Sequence, residues 1–464
     1  MRCIKCNEDN TFSDRKTYSG QCKKCRHPFV FEPQKMSKGR FTDRFFANTI
    51  ALISVERTFF FTSKQLLYLL DKRLKSKSIP VLFSWFLILY FMLHIFVNII
   101  LEDVVLLNQD LSFFLPDEVF IILTNVLIEI GFIVCLFLFS GSTQSTYRKR
   151  QLTARMLNLL GGWILVFGSV VSSGLLNSIF LHREIDLKYF NSLGLFATTT
   201  TLGLLSISLG IIQLKRAGKI PHSFLISYKQ AQDGLNRWIQ INDSIEKLLL
   251  SPHEAGKLTS ISAEMPHYSF DRAIVCDSAA MAQFLIANNF HVEYNCAILS
   301  ISGYPQNIFD TVLQMLRRNS ALQVYALHDA SPNGVTLADR LRTSPQWFAG
   351  STATVYDLGL SPGQALKNPQ LFRQQSTKFA QQARQLIPAV RQQLSAEELD
   401  WLNAGYCVEL ESFTPRRLLK IVSQGIAWSC RPGNDNGFNI WMAAFNNDDS
   451  EWQGMYRASE DSFG

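Results

Sequence analysis

The sequence predicts a multidomain membrane protein: a small cysteine ribbon, a four-helix transmembrane bundle and a C-terminal α/β domain built on a parallel sheet. Three observations carry this. Two Cys-x-x-Cys pairs open the chain, four apolar stretches of bilayer length follow, and three strand-then-helix units run from Asp271 to Arg342. A chain of 464 residues has room for about three domains. Its 47% hydrophobic content with 35 Phe is high for a wholly soluble protein. The net charge of +7 is moderate, and its distribution says more than its total. Of nine cysteines, four form one metal-type pattern and Cys135, Cys276, Cys296, Cys407 and Cys430 fall singly. That argues against a disulfide framework and for a reducing compartment. The polar start predicts no cleaved signal peptide.

Residues 1–35 read as a zinc ribbon. Cys3-Ile4-Lys5-Cys6 and Cys22-Lys23-Lys24-Cys25 place four thiolates where they can meet tetrahedrally around Zn²⁺. With every position filled by protein, the zinc is structural, and it folds a segment too short for its own core. His27 is a competing ligand or a bystander; Lys5, Lys23, Lys24 and Arg26 face phosphate or only solvent.

Residues 40–78, a winged-helix-like segment, are apolar but interrupted by Glu56 and Arg57, too early for a membrane span. Phe59-Phe60-Phe61 predicts a strand, Thr62 or Ser63 an N-cap, and Lys64 to Arg73 a helix. Within 80–215, spans are expected near Val81 to Leu101, Val119 to Phe139, Leu160 to Leu181 and Phe190 to Leu214. Gly161, Gly162, Gly168, Ser172, Ser173, Gly174, Thr198 to Thr201 and Gly203 mark close helix contacts. Glu129 is the one acid inside a span, and no acid or base in the other spans pairs with it.

Lys72, Arg73, Lys75 and Lys77 precede the first span, Arg148, Lys149, Arg150 and Arg155 follow the second, and Lys215, Arg216 and Lys219 follow the fourth. The first external loop carries Glu102, Asp103, Asp110, Asp117 and Glu118 without Lys or Arg. The positive-inside rule therefore puts both termini in the cytoplasm of an integral multi-pass protein in the lipid bilayer.

A cytosolic connector helix from His222 to Leu250 and a polar linker occupy 220–267. In 268–430, Ala273-Ile274-Val275-Cys276 ends in Asp277, Cys296 to Ile301 ends in Ser302-Gly303-Tyr304-Pro305, and Leu322 to Leu327 ends in His328-Asp329-Ala330-Ser331-Pro332-Asn333-Gly334. Helices are expected over Ser278 to Ala287, Asn307 to Arg318 and Val335 to Leu341. Repeated strand–helix units give a parallel sheet, whose chemistry gathers beyond the strands' carboxyl ends. Asn368 to Arg391 predicts a helix whose Arg373, Lys378, Arg384 and Arg391 follow nucleic acid or face solvent. Residues 431–464 form a flexible polar tail.

The C-terminal motifs resemble the Toprim domain of the topoisomerase VI A subunit, shared with the related meiotic double-strand-break proteins. That family carries an acid after its first strand, Gly-x-Pro after its second and Asp-x-Asp-Pro-x-Gly after its third. Asp277, Gly303-Tyr304-Pro305 and Asp329 to Gly334 stand in those places, and Tyr356 to Pro362 resembles its later Gly-Leu-x-Pro segment. Asp277 replaces the family's Glu and Ser331 its second acid. The resemblance runs roughly from Asp271 to Val422. It implies Mg²⁺ held by Asp277 and Asp329 with Ser331 in the third ligand position, DNA as the partner and a homodimer. Lys64-Gln65-Leu66-Leu67-Tyr68 is similar to the Arg-Asp/Glu-Ile-Tyr/Phe-Tyr motif of that family's winged helix. The resemblance makes Tyr68 the nucleophile on a DNA phosphodiester; read by itself, Tyr68 is a packing residue of an amphipathic helix. Two functions follow: a membrane-anchored, Mg²⁺-dependent DNA-cleaving protein, or an inactive membrane scaffold or sensor that keeps the fold for binding or assembly.

Overall fold

The computed structural model describes residues 1–36, 39–76, 117–141, 147–181, 187–217, 220–252, 270–368 and 371–429, with scattered residues between 85 and 96. Most of the span expected at Val81 to Leu101, the acidic loop after it, the linker before 270 and the tail beyond 430 lie outside the described residues. The chain divides into two compact units, Met1–Leu74 with Ser223–Gly464, and Lys75–His222.

In the first unit, two cysteine knuckles repeat one backbone pattern. Cys3 N donates to Glu8 O at 2.9 Å and Asn7 N to Cys3 O at 2.9 Å; Cys22 N donates to His27 O at 2.9 Å and Arg26 N to Cys22 O at 3.0 Å. Each knuckle closes on a left-handed residue, Asn7 at φ 58° and Arg26 at φ 57°. Beyond them come helices α1 (Asp43–Ile53) and α2 (Ser63–Ser76). Thr62 and Gln65 form a reciprocal cap at the start of α2: Gln65 N donates to Thr62 Oγ1 at 3.2 Å and Thr62 N to Gln65 Oε1 at 3.0 Å.

The connector is shorter than expected, a helix over Tyr228–Asn242 that ends in a turn. Its Leu235 and Trp238 share one core with Phe31, Phe41, Phe45 and Phe46. Aromatic pairs such as Phe31–Phe41 at 4.6 Å and Phe46–Trp238 at 5.0 Å bind the pieces together. No strand forms where one was expected at Phe59 to Phe61; Phe61 alone makes a single bridge to Leu248.

The α/β region has strands β1 (Arg272–Cys276), β2 (Cys296–Ser300), β3 (Gln323–Leu327) and β4 (Thr354–Gly359), all parallel in the order β2-β1-β3-β4. Both central strands are buried except at their first residue, so each reads as an apolar run rather than an alternation. Helices follow as expected over Ala279–Ala287, Phe309–Arg318 and Leu337–Thr343. The helix expected from Asn368 to Arg391 is instead a short strand, Gln374–Gln375, and two helices, Thr377–Arg384 and Pro388–Gln393. Pro388 has no amide hydrogen to continue the first helix and starts the second.

In the second unit, helices span Asp117–Gly141, Tyr147–Leu181 and Leu187–Ala217. Among the described residues, one stretch, Phe196–Ala217, is long and apolar enough to cross a membrane, and Val126–Leu138 is a shorter apolar one. A Cβ on Gly161 would lie 2.6 Å from the carbonyl oxygen of Gly203, so these two positions do mark a close helix contact. Gly162 differs, with nothing within 4 Å of its Cβ position. Leu127, Leu138, Leu159, Val166 and Leu204 are 52–67% exposed, a largely apolar exterior. Glu129 accepts a hydrogen bond from the hydroxyl of Tyr90.

Candidate active site

The register of the sheet places two acids side by side. Cys276 pairs with Leu327, so β1 and β3 end level, and Asp277 and His328-Asp329 leave their ends together. The Asp329 amide donates to Asp277 Oδ2 at 2.8 Å. Asp277 Oδ1 is buried and has no hydrogen-bond partner among the described residues. Burial raises the pKa of Asp277; burial and then the neighbouring Asp277 charge push Asp329 well above the usual carboxylate range.

The turn between β3 and its helix holds these groups in place. A Cβ on Gly334 would lie 2.1 Å from Asp329 O and 2.8 Å from His328 Nδ1, so only glycine fits there. Ser331 points inward: its hydroxyl accepts the Gly334 amide at 3.1 Å, and the residue is 8% exposed. His328 is fully buried, with Nδ1 2.8 Å from Asp329 O and Nε2 2.9 Å from Asp357 Oδ1. Both partners are acceptors, so the ring donates twice and is an imidazolium. Burial opposes that charge, but Asp357 outweighs it and raises the His328 pKa to about 9.

Two further acids border the pair. Ala330 bridges to Val408, and the next amide but one, that of Leu410, donates to Asp329 Oδ1 at 2.7 Å. Glu409 and Glu411 flank that Leu410 and are held by α2. Lys64 Nζ lies 3.2 Å from Glu409 Oε1 and 3.3 Å from Glu411 Oε2. Thr62 Oγ1 donates to Glu411 Oε1 at 2.8 Å, and Gln65 Nε2 to Phe413 O at 3.3 Å. Tyr68 donates to Glu409 Oε2 at 2.9 Å and accepts from Gln374 Nε2. Packed against Phe224 and Phe372 and 6% exposed, its phenol is held well above its ordinary pKa, first by burial and then by the charges of Glu409 and Asp329.

The structure thus brings Tyr68, Asp277 and Asp329 into one unit although the 75–222 segment separates them in sequence. Glu409 and Glu411 close the run Tyr406 to Glu411, which with Pro415 to Val422 resembles the family's last strand and helix, a resemblance that did not assign them to the site. The donor set suits a hard divalent ion, through a buried carboxylate oxygen left open and an excess of negative charge around it. Its oxygens are more dispersed than the thiols of the ribbon, which alone among the described residues form a group of three or more ligand atoms within 4.8 Å of one another.

That second cluster is Cys3, Cys6, Cys22 and Cys25, with Cys3–Cys25 at 3.6 Å and Cys6–Cys22 at 3.5 Å between sulfurs. A tetrahedron with Zn–S of about 2.3 Å has edges of about 3.8 Å, so the thiols fit zinc. Burial works against the Cys22 thiolate, but the amides of Cys25 and Lys24 and the Asn10 side chain bring its pKa down to about 6. His27 stands outside the cluster, its Nε2 2.9 Å from Asn242 Oδ1. Arg373 does not line a nucleic-acid surface: it is 3% exposed and donates to the carbonyls of Ala365, Leu366 and Asn368.

Comparison with known proteins agrees with the strand-end motifs. No solved structure matches this chain. The meiotic recombination protein SPO11-4 of Oryza sativa subsp. japonica is 26% identical over 106 residues, which is 23% of this chain and 20% of that protein. The chain therefore aligns with only about a fifth of its relative's length. Residues 273–358, from β1 into β4 and including Asp277, Gly303 and Asp329, match the family model of the Toprim domain found in Spo11 and in the A-type chain of topoisomerase 6.

Proposed function

We propose that this protein acts on DNA through a Mg²⁺-dependent site formed by Asp277 and Asp329, with Glu409 as base and Tyr68 as nucleophile, on a membrane anchor that keeps the site in the cytoplasm. The observation that carries it is the meeting of Tyr68 and Glu409 at 2.9 Å beside two acids of a Toprim-type strand end. Asp277 and Asp329 would hold the Mg²⁺, which when bound would supply positive charge to a phosphodiester. The protein's own groups do the rest. Glu409 takes the phenolic proton, the Tyr68 oxygen bonds to phosphorus, and the strand's P–O bond breaks to leave an alkoxide that is protonated to a free hydroxyl. Lys64 and Gln374 hold Glu409 and the phenol in line for that transfer.

The anchor rests on the apolar exterior of the 75–222 unit and on the basic residues that flank its helices. Zinc in the Cys3, Cys6, Cys22 and Cys25 cluster is structural, since no coordination position is left for substrate.

A second reading, a scaffold that keeps the fold without cleaving, is favoured by Ser331, whose hydroxyl is spent on the Gly334 amide where the family carries an acid. Plasmid nicking by the detergent-solubilised chain with Mg²⁺ or Mn²⁺ separates the two. Cleavage lost in both Tyr68→Phe and Asp329→Ala supports the enzyme, and an inert wild type supports the scaffold.

A further inference from the structure

We propose that Lys64 is a built-in counter-cation that takes the place of a second divalent ion, so that the acid cluster accepts one divalent ion and not two. This rests on reading the acids as a divalent-ion site. Asp277 and Asp329 meet at the strand ends, and Glu409 and Glu411, held by Lys64, flank the Leu410 whose amide donates to Asp329. Two carboxylates that face one cation, as Glu409 and Glu411 face Lys64, can hold a divalent ion whose other oxygens are waters.

The cluster is divided in a particular way. Asp277 and Asp329 are tied to each other through the Asp329 amide, and Asp277 Oδ1 is left open. Glu409 and Glu411 are tied to Lys64, whose Nζ lies 3.2 and 3.3 Å from the two Glu409 oxygens and 3.3 Å from Glu411 Oε2. The side chains are 40% (Lys64), 20% (Glu409) and 14% (Glu411) exposed, so this ammonium is less free than a surface lysine.

Tethering favours Lys64 over a dissolved ion. The ammonium is delivered from the first turn of α2, whose cap residue Thr62 also bonds Glu411 and whose Gln65 bonds Phe413 O. These contacts from one helical turn make its local concentration at Glu409 and Glu411 permanently high. Lysine is a compact point charge, and a monocation cannot draw the four carboxylates together as a second dication would.

The test is Mn²⁺ binding to the full chain in detergent, followed by electron paramagnetic resonance and calorimetry; Mn²⁺ prefers carboxylates to the ribbon's thiolates. Wild type and Lys64→Arg are expected to bind one Mn²⁺ per chain. Lys64→Met is expected to bind one more, lost again in Lys64→Met/Glu411→Gln. Glu411→Gln alone is expected to leave the wild-type stoichiometry unchanged, and it keeps the proposal testable if Lys64→Met does not fold. Equal stoichiometry in wild type and Lys64→Met, or loss of the wild-type ion in Glu411→Gln, overturns the proposal. A wild type that binds none while Lys64→Met binds one at Glu411 upholds the role of Lys64 and instead removes the Asp277–Asp329 magnesium site on which the proposed function depends.

Discussion

The phenol of Tyr68 donates to Glu409 Oε2 at 2.9 Å although 341 positions separate the two in sequence. A buried hydrogen bond to a carboxylate contributes about 1.5–3 kcal/mol. Tyr68→Phe keeps the packing on Phe224 and Phe372 and removes that bond together with the one the phenol accepts from Gln374. It is expected to lower the folding stability of the Met1–Leu74 and Ser223–Gly464 unit by about 1–3 kcal/mol, read as a lower thermal midpoint. An unchanged midpoint would mean that the phenol is not held by Glu409 in solution.

Without a bound ion, Asp277 is a buried acid with one oxygen unsatisfied beside another acid. Asp277→Asn removes that repulsion and is expected to raise the metal-free stability by about 1 kcal/mol. The same change is expected to abolish stabilisation by divalent ions, which for wild type is about 2.7 kcal/mol at a hundredfold excess over the dissociation constant. Differential scanning fluorimetry with and without Mn²⁺ measures both. A variant that is less stable without metal, or that Mn²⁺ still stabilises, would show that Asp277 is not a ligand.

His328 links the site to pH. Its folded pKa of about 9 exceeds the ordinary 6.5, so its contribution is complete below pH 6.5 and is lost as pH rises through about 9. The slope is at most about 1.4 kcal/mol per pH unit, and Asp357, 43% exposed, screens part of it. Melting curves between pH 6.5 and 9.5 are expected to show a loss of stability in wild type that is absent in His328→Gln. Parallel curves for the two proteins would refute a buried imidazolium behind Asp329.

These relationships were unevenly legible in the sequence. The acids at the ends of β1 and β3 could be read because each strand, turn and helix lies within about twenty residues. The parallel register then brings Asp277 and Asp329 together with no further information. Glu409 could not be assigned to the site, because its position depends on the Ala330–Val408 bridge and on α2, a contact 345 residues away for Lys64. The role of Gln65 was hidden for a different reason: beside a tyrosine it looks like a degenerate acid, while its part in the Thr62 cap appears only once the helix start is fixed. The break at Pro388 was legible and outweighed by the Gln/Arg-rich composition around it.

The proposed membrane arrangement makes a separate prediction. Arg148, Lys149 and Arg150 follow 142–146, and Lys215, Arg216 and Lys219 surround Ala217, while the sequence of 102–116 is acidic. Cysteines introduced at 144 in intact cells are therefore expected to resist a membrane-impermeant maleimide, and cysteines at 108 to react. The opposite pattern would put Tyr68 and Asp329 outside the cell, where no DNA substrate is within reach.

The ribbon supplies the last prediction. Segment 1–35 has a core of little more than Met1, Cys3, Cys22 and Phe29, which is not enough to fold it alone. Zinc at the four thiolates would provide the difference, since apparent binding energies of structural zinc, about 10–16 kcal/mol in small peptides, become folding energy. Elemental analysis is expected to find one zinc per chain, lost in Cys22→Ser. Removing it frees the knuckles and with them the bond from His27 to Asn242, which ties the ribbon to the connector helix. Hydrogen exchange is then expected to rise first over 1–35 and next over Tyr228–Asn242, while β1 to β4 remain protected. Protection of the ribbon that persists in zinc-free protein would mean that the thiols pack without a metal.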